Sequence, residues 1–413
     1  MISKKVVLTS AVATLMSSSV LANNCGPTDA SISILANDFP AIHALVSTAK
    51  NNCKNYATKF TINHTAEARQ IMNAALTPTP AEYTSVIVAN ATLVQLMNDG
   101  LVRPLDEYVE KYGQNLKKHQ LITINGKVMA IAFMANSQHL FSRSDILKQA
   151  GIKSIPSTYE EVLDAAEAIR SAGIMEHPLV MNLKKGWNQG EVFNTLYLAH
   201  GGQFFKSGTA EVSINNEQGI AALKLMKALT QYANPDFLTQ ASNETQGLWE
   251  AGKAALGIMW GSRGEPILDD QGSTIEVTSN TVLSGAPTVA GGSTPAATLW
   301  WDGVTIAKNI PDADAEATFA ALASAMTPNM VAAHNDDAVW LIDGFKPGPN
   351  ATGISATVRG GAKSYPMFPQ MGILHSAVGN ELSDFLKGDE SAEQALADVE
   401  AAYNIAAKEK GFL

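Results

Sequence analysis

The sequence predicts an α/β fold, because short apolar segments of strand length alternate with segments of helical spacing. Residues 31–36 alternate apolar and polar side chains, and the segment after them repeats apolar residues at a helical interval. Residues 83–90 are apolar at nearly every position, as in a strand buried on both faces of a parallel sheet. The 413 residues are 46% hydrophobic and 16% charged, so the chain can bury a large core and is not disordered.

Three pairs of strand and helix occupy the first part of the chain after residue 30. Each strand is short, and a proline or glycine residue marks the beginning or the end of each helix. The predicted elements in order are a strand at 31–36, a helix from Pro40, a strand at 59–63, a helix at 66–76, a strand at 83–90 and a helix at 93–100.

The same alternation continues with longer helices in the rest of the chain. Thr158 and Glu161 have the spacing of a capping box at the start of one of them. A stretch rich in Gly and Thr at 285–298 is predicted to be a surface loop. The further predicted elements are helices at 144–151, from Ser157, at 215–229, at 242–255 and at 391–410, and a strand at 255–261.

The N-terminus predicts an exported protein. Residues 1–22 begin with two lysines, continue through an apolar run and end in small residues, as a signal peptide cleaved before Asn23 does. The alternatives are a membrane anchor and, for Cys25, lipidation. Cys25 and Cys53 are the only cysteines, and in an oxidising compartment a structural disulfide between them is expected. A reactive thiol is the alternative.

Composition and motifs argue against several classes of function. The net charge is −10 without a basic run beyond the N-terminus, which argues against a nucleic-acid or anionic membrane partner. The sequence lacks a phosphate-binding glycine loop, a GxSxG elbow, an HExxH helix and a CxxC pair. No two of the eight histidines are spaced i,i+4 to chelate a metal from one helix face. We therefore expect no catalytic residues, no metal and no cofactor.

Tryptophans that do not belong to the apolar face of a predicted amphipathic helix are the clearest indication of a binding site. An aromatic face packs well against the C–H face of a sugar ring, while neighbouring polar groups bond to its hydroxyls. Packing in a core or between lobes is the alternative for each of them. The sixth tryptophan, Trp249, has the spacing of a core residue. The five tryptophans at predicted strand ends, loops or glycine-flanked turns are Trp187, Trp260, Trp300, Trp301 and Trp340.

Four segments in fixed order resemble a known family. Residues 125–152, 157–169, 249–261 and 385–404 are similar to conserved blocks of the extracellular solute-binding proteins of ABC importers, in the carbohydrate-binding, maltodextrin-binding-protein-like branch. Phe133 stands where that family usually has proline, and Tyr159 stands where it usually has tryptophan. The resemblance covers nearly all of the chain after the signal peptide.

The resemblance implies a two-lobe periplasmic-binding-protein fold, each lobe a central mixed sheet flanked by helices, with a hinge of crossing segments that closes on ligand. It assigns 23–134 plus 304–362 to the first lobe and 135–303 plus 363–413 to the second. Crossings are expected near 135–136, 302–303 and 363–365. It further implies a monomer in the periplasm that captures a small molecule and delivers it to an ABC importer permease.

Ligand-binding residues are expected at the carboxyl ends of strands and at the crossings. For the polar ones a cap or a surface ion pair is the alternative; Asp38 in particular suits a cap of the helix from Pro40. The ligand is expected to be a sugar, a sugar derivative or a polyol. A charged or zwitterionic ligand and an exported carbohydrate-active enzyme are the alternatives. The predicted ligand-binding residues are Asp38, Asn90, Asn136, Trp187, Asn188, Trp260, Arg263, Trp301, Asp302, Trp340 and Arg359.

Overall fold

The computed structural model describes residues 25–54, 59–269, 271–289 and 291–413. The predicted signal peptide and its cleavage site lie outside the described residues. The chain forms two sheets flanked by helices, which confirms the predicted α/β class. We call the part built on the eight-stranded sheet the first lobe and the part built on the four-stranded sheet the second lobe.

The strands are β1 (Ile32–Ala36), β2 (Phe60–His64), β3 (Ser85–Ala89), β4 (Leu121–Ile124), β5 (Lys127–Asn136), β6 (Gln138–Arg143), β7 (Leu179–Met181), β8 (Leu256–Trp260), β9 (Thr281–Ser284), β10 (Thr298–Ile306), β11 (Val339–Trp340) and β12 (Lys363–Ser364). The helices are α1 (Pro40–Asn52), α2 (Ala68–Leu76), α3 (Asn90–Asn98), α4 (Asp106–Tyr112), α5 (Ser144–Gln149), α6 (Tyr159–Ser171), α7 (Trp187–Ala199), α8 (Glu217–Thr230), α9 (Ser242–Glu250), α10 (Gly264–Leu268), α11 (Ile275–Asn280), α12 (Asp312–Ala325), α13 (Pro328–Ala333), α14 (Thr352–Arg359), α15 (Met371–Glu381), α16 (Ser383–Lys387) and α17 (Ala392–Glu409).

The first sheet has the strand order β11-β5-β10-β3-β1-β2, with β4 paired to β5 and β12 paired to β10. β1 lies between its parallel neighbours β2 and β3, so the carboxyl ends of these three strands meet at one edge. β10 runs antiparallel to both β3 and β5. All five residues of β3 are buried, as its continuous apolar pattern predicts.

The second sheet has the order β7-β8-β6-β9, with β7 and β8 parallel. One set of buried apolar residues packs around each of the two main sheets. In the second lobe α7, α8, α15 and α17 pack against one another. The carboxyl ends of β7 and β8 lead directly into the segments that begin at Asn182 and Gly261. These two segments supply Trp187 and Arg263 of the candidate site.

The chain passes between the two lobes more than once. Ser137 joins β5 to β6, residues 285–297 join β9 to β10, and residues 341–351 join β11 to α14. The predicted crossing at 302–303 lies inside β10 of the first sheet. The predicted first-lobe segment 304–362 includes α14, which packs against β6 and β9 of the second sheet. The predicted crossing at 363–365 begins with β12, which pairs with β10 of the first sheet before the chain enters α15.

Local sequence signals account for several boundaries. Thr158 caps α6 through the backbone N–H of Glu161, and the Glu161 carboxylate bonds back to the Thr158 N–H, so the predicted capping box is present. The predicted helix at 242–255 ends at Glu250, because Gly252 takes a φ of +67° and turns the chain into β8.

The predicted disulfide between Cys25 and Cys53 is present, with their Cα atoms 5.7 Å apart. It ties the start of the described chain to the residue after α1, and both cysteines belong to the first lobe's core. In the part of the chain that the structure describes, no helix has both the length and the apolar character needed to cross a bilayer.

Candidate functional site

Asp38, His43 and His64 meet beyond the carboxyl ends of β1 and β2. Nε2 of His43 lies 2.7 Å from Oδ1 of Asp38, and the centroids of the two imidazole rings are 3.9 Å apart. Asp38 therefore pairs with His43, while α1 begins after Phe39, which makes no side-chain cap. Burial is the main cause that lowers the pKa of His64, so its ring favours the neutral form at neutral pH.

Asn90 bonds to β10 within the first lobe, and Asn136 at the end of β5 bonds to the segment after β8 in the second lobe. The Asn90 side chain accepts a hydrogen bond from the backbone N–H of Trp301 and donates one to the carbonyl of Leu299. The Asn136 side chain donates to Oγ of Ser262 and accepts from the Ser262 N–H. Both asparagines are buried, and their hydrogen bonds position β10 and the segment after β8. Their contacts are therefore with protein groups that frame the site.

Trp300 is fixed by a buried glutamate of α7. Its Nε1 donates to Oε1 of Glu191 at 2.8 Å, and the hydroxyl of Thr298 donates to the same oxygen. Burial raises the pKa of Glu191 to about 8, while these donors and the charge of Arg69 act in the opposite direction. Glu191 is consequently protonated at neutral pH, and a neutral acid joins the second lobe to β10.

Trp187, the first residue of α7, lies in a cluster of aromatic rings. Its ring stacks on His375 at 5.0 Å and meets the ring of Trp300 edge to face at 5.3 Å. Nδ1 of His375 accepts from the Tyr365 hydroxyl at 2.8 Å and from the Asn194 amide. Nε2–H of His375 therefore donates to the carbonyl of Trp187. Burial lowers the pKa of His375 to about 4, so this neutral tautomer persists and holds the Trp187 ring in place.

Asp302 is a buried carboxylate beside this cluster. Its side chain is 8% exposed, and no donor in the described part of the chain lies within hydrogen-bond distance of either oxygen. The nearest cation is Arg69 of α2, whose Nη2 lies 3.8 Å from Oδ1 and whose guanidinium lies 5.0 Å from the Trp187 ring centre. Burial raises the pKa of Asp302 to about 6, and Arg69 partly opposes that rise. At neutral pH Asp302 is mostly ionised and can accept hydrogen bonds from a ligand.

Opposite charges face each other between the lobes. Arg263, which follows β8, donates a hydrogen bond to Oε1 of Gln246. Burial is the main cause that lowers the pKa of Arg263. Asp38 of the first lobe is among the carboxylates whose charge opposes this lowering. The pKa of Glu67, at the start of α2, is lowered mainly by the hydrogen bond from the Thr65 hydroxyl. The positive charge of Lys184 in the second lobe also lowers it. Asp38 with Arg263 and Glu67 with Lys184 thus place charges of opposite sign on the two lobes.

The remaining predicted residues have different surroundings. Trp260 is buried, with its ring centre 6.1 Å from that of Trp187. Asn188 is half-buried in the first turn of α7, next to Trp187. Alternation along β10 places Trp301 on the face opposite Asp302. There Trp301 packs against the first lobe's core and stays partly exposed.

Trp340 and Arg359 are not brought to this cluster. Trp340 is buried in the first lobe's core beside Phe133, and its Nε1 donates to the carbonyl of His334. Arg359 is exposed at the end of α14. Arg69 therefore lies nearest to Asp302 and Trp187 lies against Arg69, while Glu191 and His375 hold the rings of Trp300 and Trp187.

Three of these residues were not among the predicted ligand-binding residues. Arg69, Glu191 and His375 lie inside helices, and only the fold brings them together. Glu191 could have been recognised from its position in α7 among apolar residues. A buried carboxyl group is costly unless it has a hydrogen-bond partner, so such a residue is expected to bond to another buried group. No comparable local signal marks Arg69, whose role depends on the approach of the other lobe.

The site has the chemistry of a binding cleft for a small polar molecule. It combines an aromatic ring, an ionised acceptor and a guanidinium donor, which together can bind hydroxyls and C–H faces. Within the described ranges, no group of three or more His, Cys, Asp or Glu side chains is placed to hold a metal ion.

Known proteins resemble the chain in sequence and in fold. A probable ABC transporter-binding protein of Deinococcus radiodurans is 26% identical over 143 residues, which are 33% of this chain and 34% of that one. The chain thus matches about a third of that relative's length. T. maritima MalE3 with bound maltose superposes with a TM-score of 0.77 at 15% identity, covering 91% of this chain and 100% of that chain.

A solute-binding protein from Agrobacterium radiobacter K84 in complex with ribitol has a TM-score of 0.78 at 17% identity, covering 91% of this chain and 99% of that chain. At these identities the two superpositions show the fold, which is that of two-lobe binding proteins. The model of the family described as bacterial extracellular solute-binding protein matches residues 38–327. Because that match spans more than two thirds of the sequence, the chain belongs to the family of bacterial extracellular solute-binding proteins.

Proposed function

We propose that this protein captures a sugar, sugar derivative or polyol between its lobes and delivers it to the membrane permease of an ABC importer. The observation that carries the proposal is Asp302. A carboxylate buried to this degree is costly unless it accepts hydrogen bonds, and the described residues supply none. Two hydroxyls of a ligand would supply them.

Trp187 and Arg69 support the same ligand class. The Trp187 ring is held by His375 of its own lobe and by Trp300 of β10 in the first lobe, so it is a preorganised face for a sugar ring or a carbon chain. Arg69 adds a donor beside Asp302 without neutralising it completely, since the two side chains are 3.8 Å apart. The structural relatives with maltose and ribitol carry ligands of this class.

The cleft is proposed to bind without chemical conversion, in the periplasm, as a monomer. Capture by closure needs groups on both lobes, and here Arg69 and Asp38 come from the first lobe while Trp187 and Arg263 come from the second. Charges of opposite sign on the two lobes, Asp38 with Arg263 and Glu67 with Lys184, are compatible with closure. A charged or zwitterionic ligand is the second candidate, because Arg69 and Arg263 are both buried enough to pair strongly with an anion.

A thermal-shift screen of the mature protein tests the proposal, with hits confirmed by calorimetry. The panel contains neutral sugars, polyols, uronic acids and betaines. We expect a neutral compound to raise the melting temperature by several degrees and to be recovered unchanged by mass spectrometry. Asp302→Asn should abolish the shift, and Asp389→Asn, which changes an exposed carboxylate outside the cleft, should keep it.

Three outcomes would contradict parts of this proposal. A shift with charged compounds alone would favour the second candidate. Conversion of the bound compound would identify an enzyme. Binding that is equal in wild type and Asp302→Asn would remove Asp302 from the site.

A further inference from the structure

The guanidinium of Arg69 lies between Asp302 and Trp187, the two groups that the candidate site offers to a ligand. Its Nη2 is 3.8 Å from Oδ1 of Asp302, and its central carbon lies over the Trp187 ring, 5.0 Å from the ring centre. The carboxylate belongs to β10 of the first lobe, and the ring belongs to α7 of the second. The positive charge of Arg69 is therefore held where a group of each lobe contacts it.

Charge and the aromatic ring hold this guanidinium in place without a hydrogen bond. Among the described residues no acceptor lies within hydrogen-bond distance of its nitrogens, and 3.8 Å from Asp302 is longer than a hydrogen bond. Ion-pair attraction and a cation–π contact require a positive charge, but they do not require the fork geometry of an arginine. A small cation of another molecule can therefore make the same two contacts.

The groups that contact Arg69 have the composition of a site for cations. The ring centre of Trp187 lies 5.3 Å from that of Trp300 and 6.1 Å from that of Trp260. The Asp302 carboxylate is buried and accepts no hydrogen bond from a described residue. A carboxylate beside a cluster of aromatic rings attracts quaternary ammonium and guanidinium groups, because the faces of the rings carry partial negative charge. In this protein Arg69 itself supplies the cation.

The charge of Arg69 acts on the buried groups around the ring. Burial is the largest influence on the pKa values of Glu191, Asp302 and His375; it raises the first two and lowers the third. Arg69 lowers the pKa of each of them. It thus favours an ionised Asp302 and opposes a positive charge on His375. A positively charged ligand in the same place would meet the same repulsion.

Arg263 and Lys184 are cations near the cleft that do not fill this position. Arg263 donates to Oε1 of Gln246, and Lys184 is exposed. Within the part of the chain that the structure describes, Arg69 is the cation that pairs with Asp302. Removing Arg69 would therefore leave the carboxylate and the ring without a positive charge between them.

We propose that Arg69 determines ligand specificity by occupying the cation position between Asp302 and Trp187, so that the site accepts neutral molecules and rejects cationic ones. The inference rests on the proposed function and concerns the selectivity of the same site. A neutral ligand with several hydroxyls can accept hydrogen bonds from Arg69 and donate to Asp302, because the two side chains do not bond to each other. A ligand with an ammonium or guanidinium group meets the charge of Arg69 instead.

Calorimetric titration of small cations into the mature wild type and Arg69→Ala tests the proposal. The probes are choline, tetramethylammonium and methylguanidinium, with methylurea as the neutral analogue of methylguanidinium and sodium chloride as the control for ionic strength. Arg69 is partly exposed on α2, where alanine is a good helix former. We expect Arg69→Ala to bind at least one of the three cations about tenfold or more tightly than the wild type does. Methylurea should show no such gain.

Three further variants separate the cation position from a general effect of charge. Arg69→Lys keeps a positive charge at this point and should bind the cations no better than the wild type. Arg69→Ala combined with Asp302→Asn lacks the carboxylate and should lose the gain. Lys184→Ala removes an exposed positive charge of the second lobe, leaves Arg69 in place and should show no gain.

Two results overturn the proposal. One is cation binding in a folded Arg69→Ala protein that stays within about twofold of the wild type. The other is a gain of equal size for methylurea or in Lys184→Ala. The titration uses no sugar, so its failure is separate from failure of the proposed function. A wild type that binds a neutral sugar or polyol, with no gain for cations in Arg69→Ala, would refute the role of Arg69 alone. A gain for cations with a wild type that binds no neutral compound would support the cation position and refute the proposed function.

Discussion

Replacing Glu191 by glutamine should change how the stability of the protein depends on pH. Glu191 is buried between α7 and β10, where it accepts hydrogen bonds from Trp300 and Thr298. Glutamine keeps an acceptor oxygen for these donors and carries no charge at any pH. The structure places the pKa of Glu191 at about 8, compared with 4.5 for a solvated glutamate.

The sign and the size of the effect follow from these two values. A carboxyl whose pKa is raised on folding stabilises the folded state fully below its unfolded pKa, and that stabilisation is lost as the pH rises through the folded pKa. Between pH 6.5 and 8.0 unfolded Glu191 is already ionised, whereas folded Glu191 changes from protonated to half ionised. One pKa unit corresponds to about 1.4 kcal/mol, so the wild type should lose about 1.5 kcal/mol relative to Glu191→Gln over this window.

Urea unfolding of both proteins at pH 6.5 and pH 8.0, followed by tryptophan fluorescence, measures this difference. Histidines such as His375 titrate equally in both proteins, so their contributions cancel. Glu393→Gln is the matched control, because that exposed glutamate has a lowered pKa and titrates below the window. A stability difference between wild type and Glu191→Gln that stays constant within about 0.5 kcal/mol would show that Glu191 is not buried as a neutral acid.

Three further predictions concern the site and the disulfide. Trp187→Ala should weaken ligand binding about tenfold or more in calorimetry, because a preorganised aromatic ring carries much of the binding energy; an unchanged dissociation constant would exclude stacking on Trp187. Ligand affinity should fall as the pH is lowered from 7 to 5, since Asp302 is protonated through its pKa of about 6 and an acceptor is lost; equal affinity at pH 7 and pH 5 would argue against its contact with ligand. Cys25→Ser should lower the free energy of unfolding by about 3 to 4 kcal/mol, because the disulfide closes a loop with a sequence separation of 28. Equal stability of the wild type with and without reductant would contradict that role.

Features that depend on nearby residues were predictable from the sequence. The strands β1, β2, β3 and β8 were marked by apolar runs, and the start of α6 was marked by its capping box. The disulfide followed from the presence of only two cysteines in an exported chain. These features were predictable because periodicity and capping act within a few residues of each other.

The site was predictable only in part, because it is assembled by the packing of distant segments. Trp187 and Asp302 could be expected at a helix start and at a crossing, and they lie near each other. Arg69 reaches both of them from α2, more than a hundred residues away in sequence, and it contacts Trp187 from the other lobe. Trp340 had the same glycine and loop surroundings as a binding tryptophan, yet it is buried in the first lobe's core. Sequence pattern does not distinguish these two environments, since both favour a large amphipathic ring.

A crystal structure of the mature protein with the tightest ligand from the screen tests ligand capture in the cleft most directly. We expect the ligand between the lobes, with hydroxyls within hydrogen-bond distance of the Asp302 carboxylate and a carbon face against the Trp187 ring. A ligand bound elsewhere, or one that leaves the Asp302 carboxylate without a hydrogen bond, would contradict the proposed function.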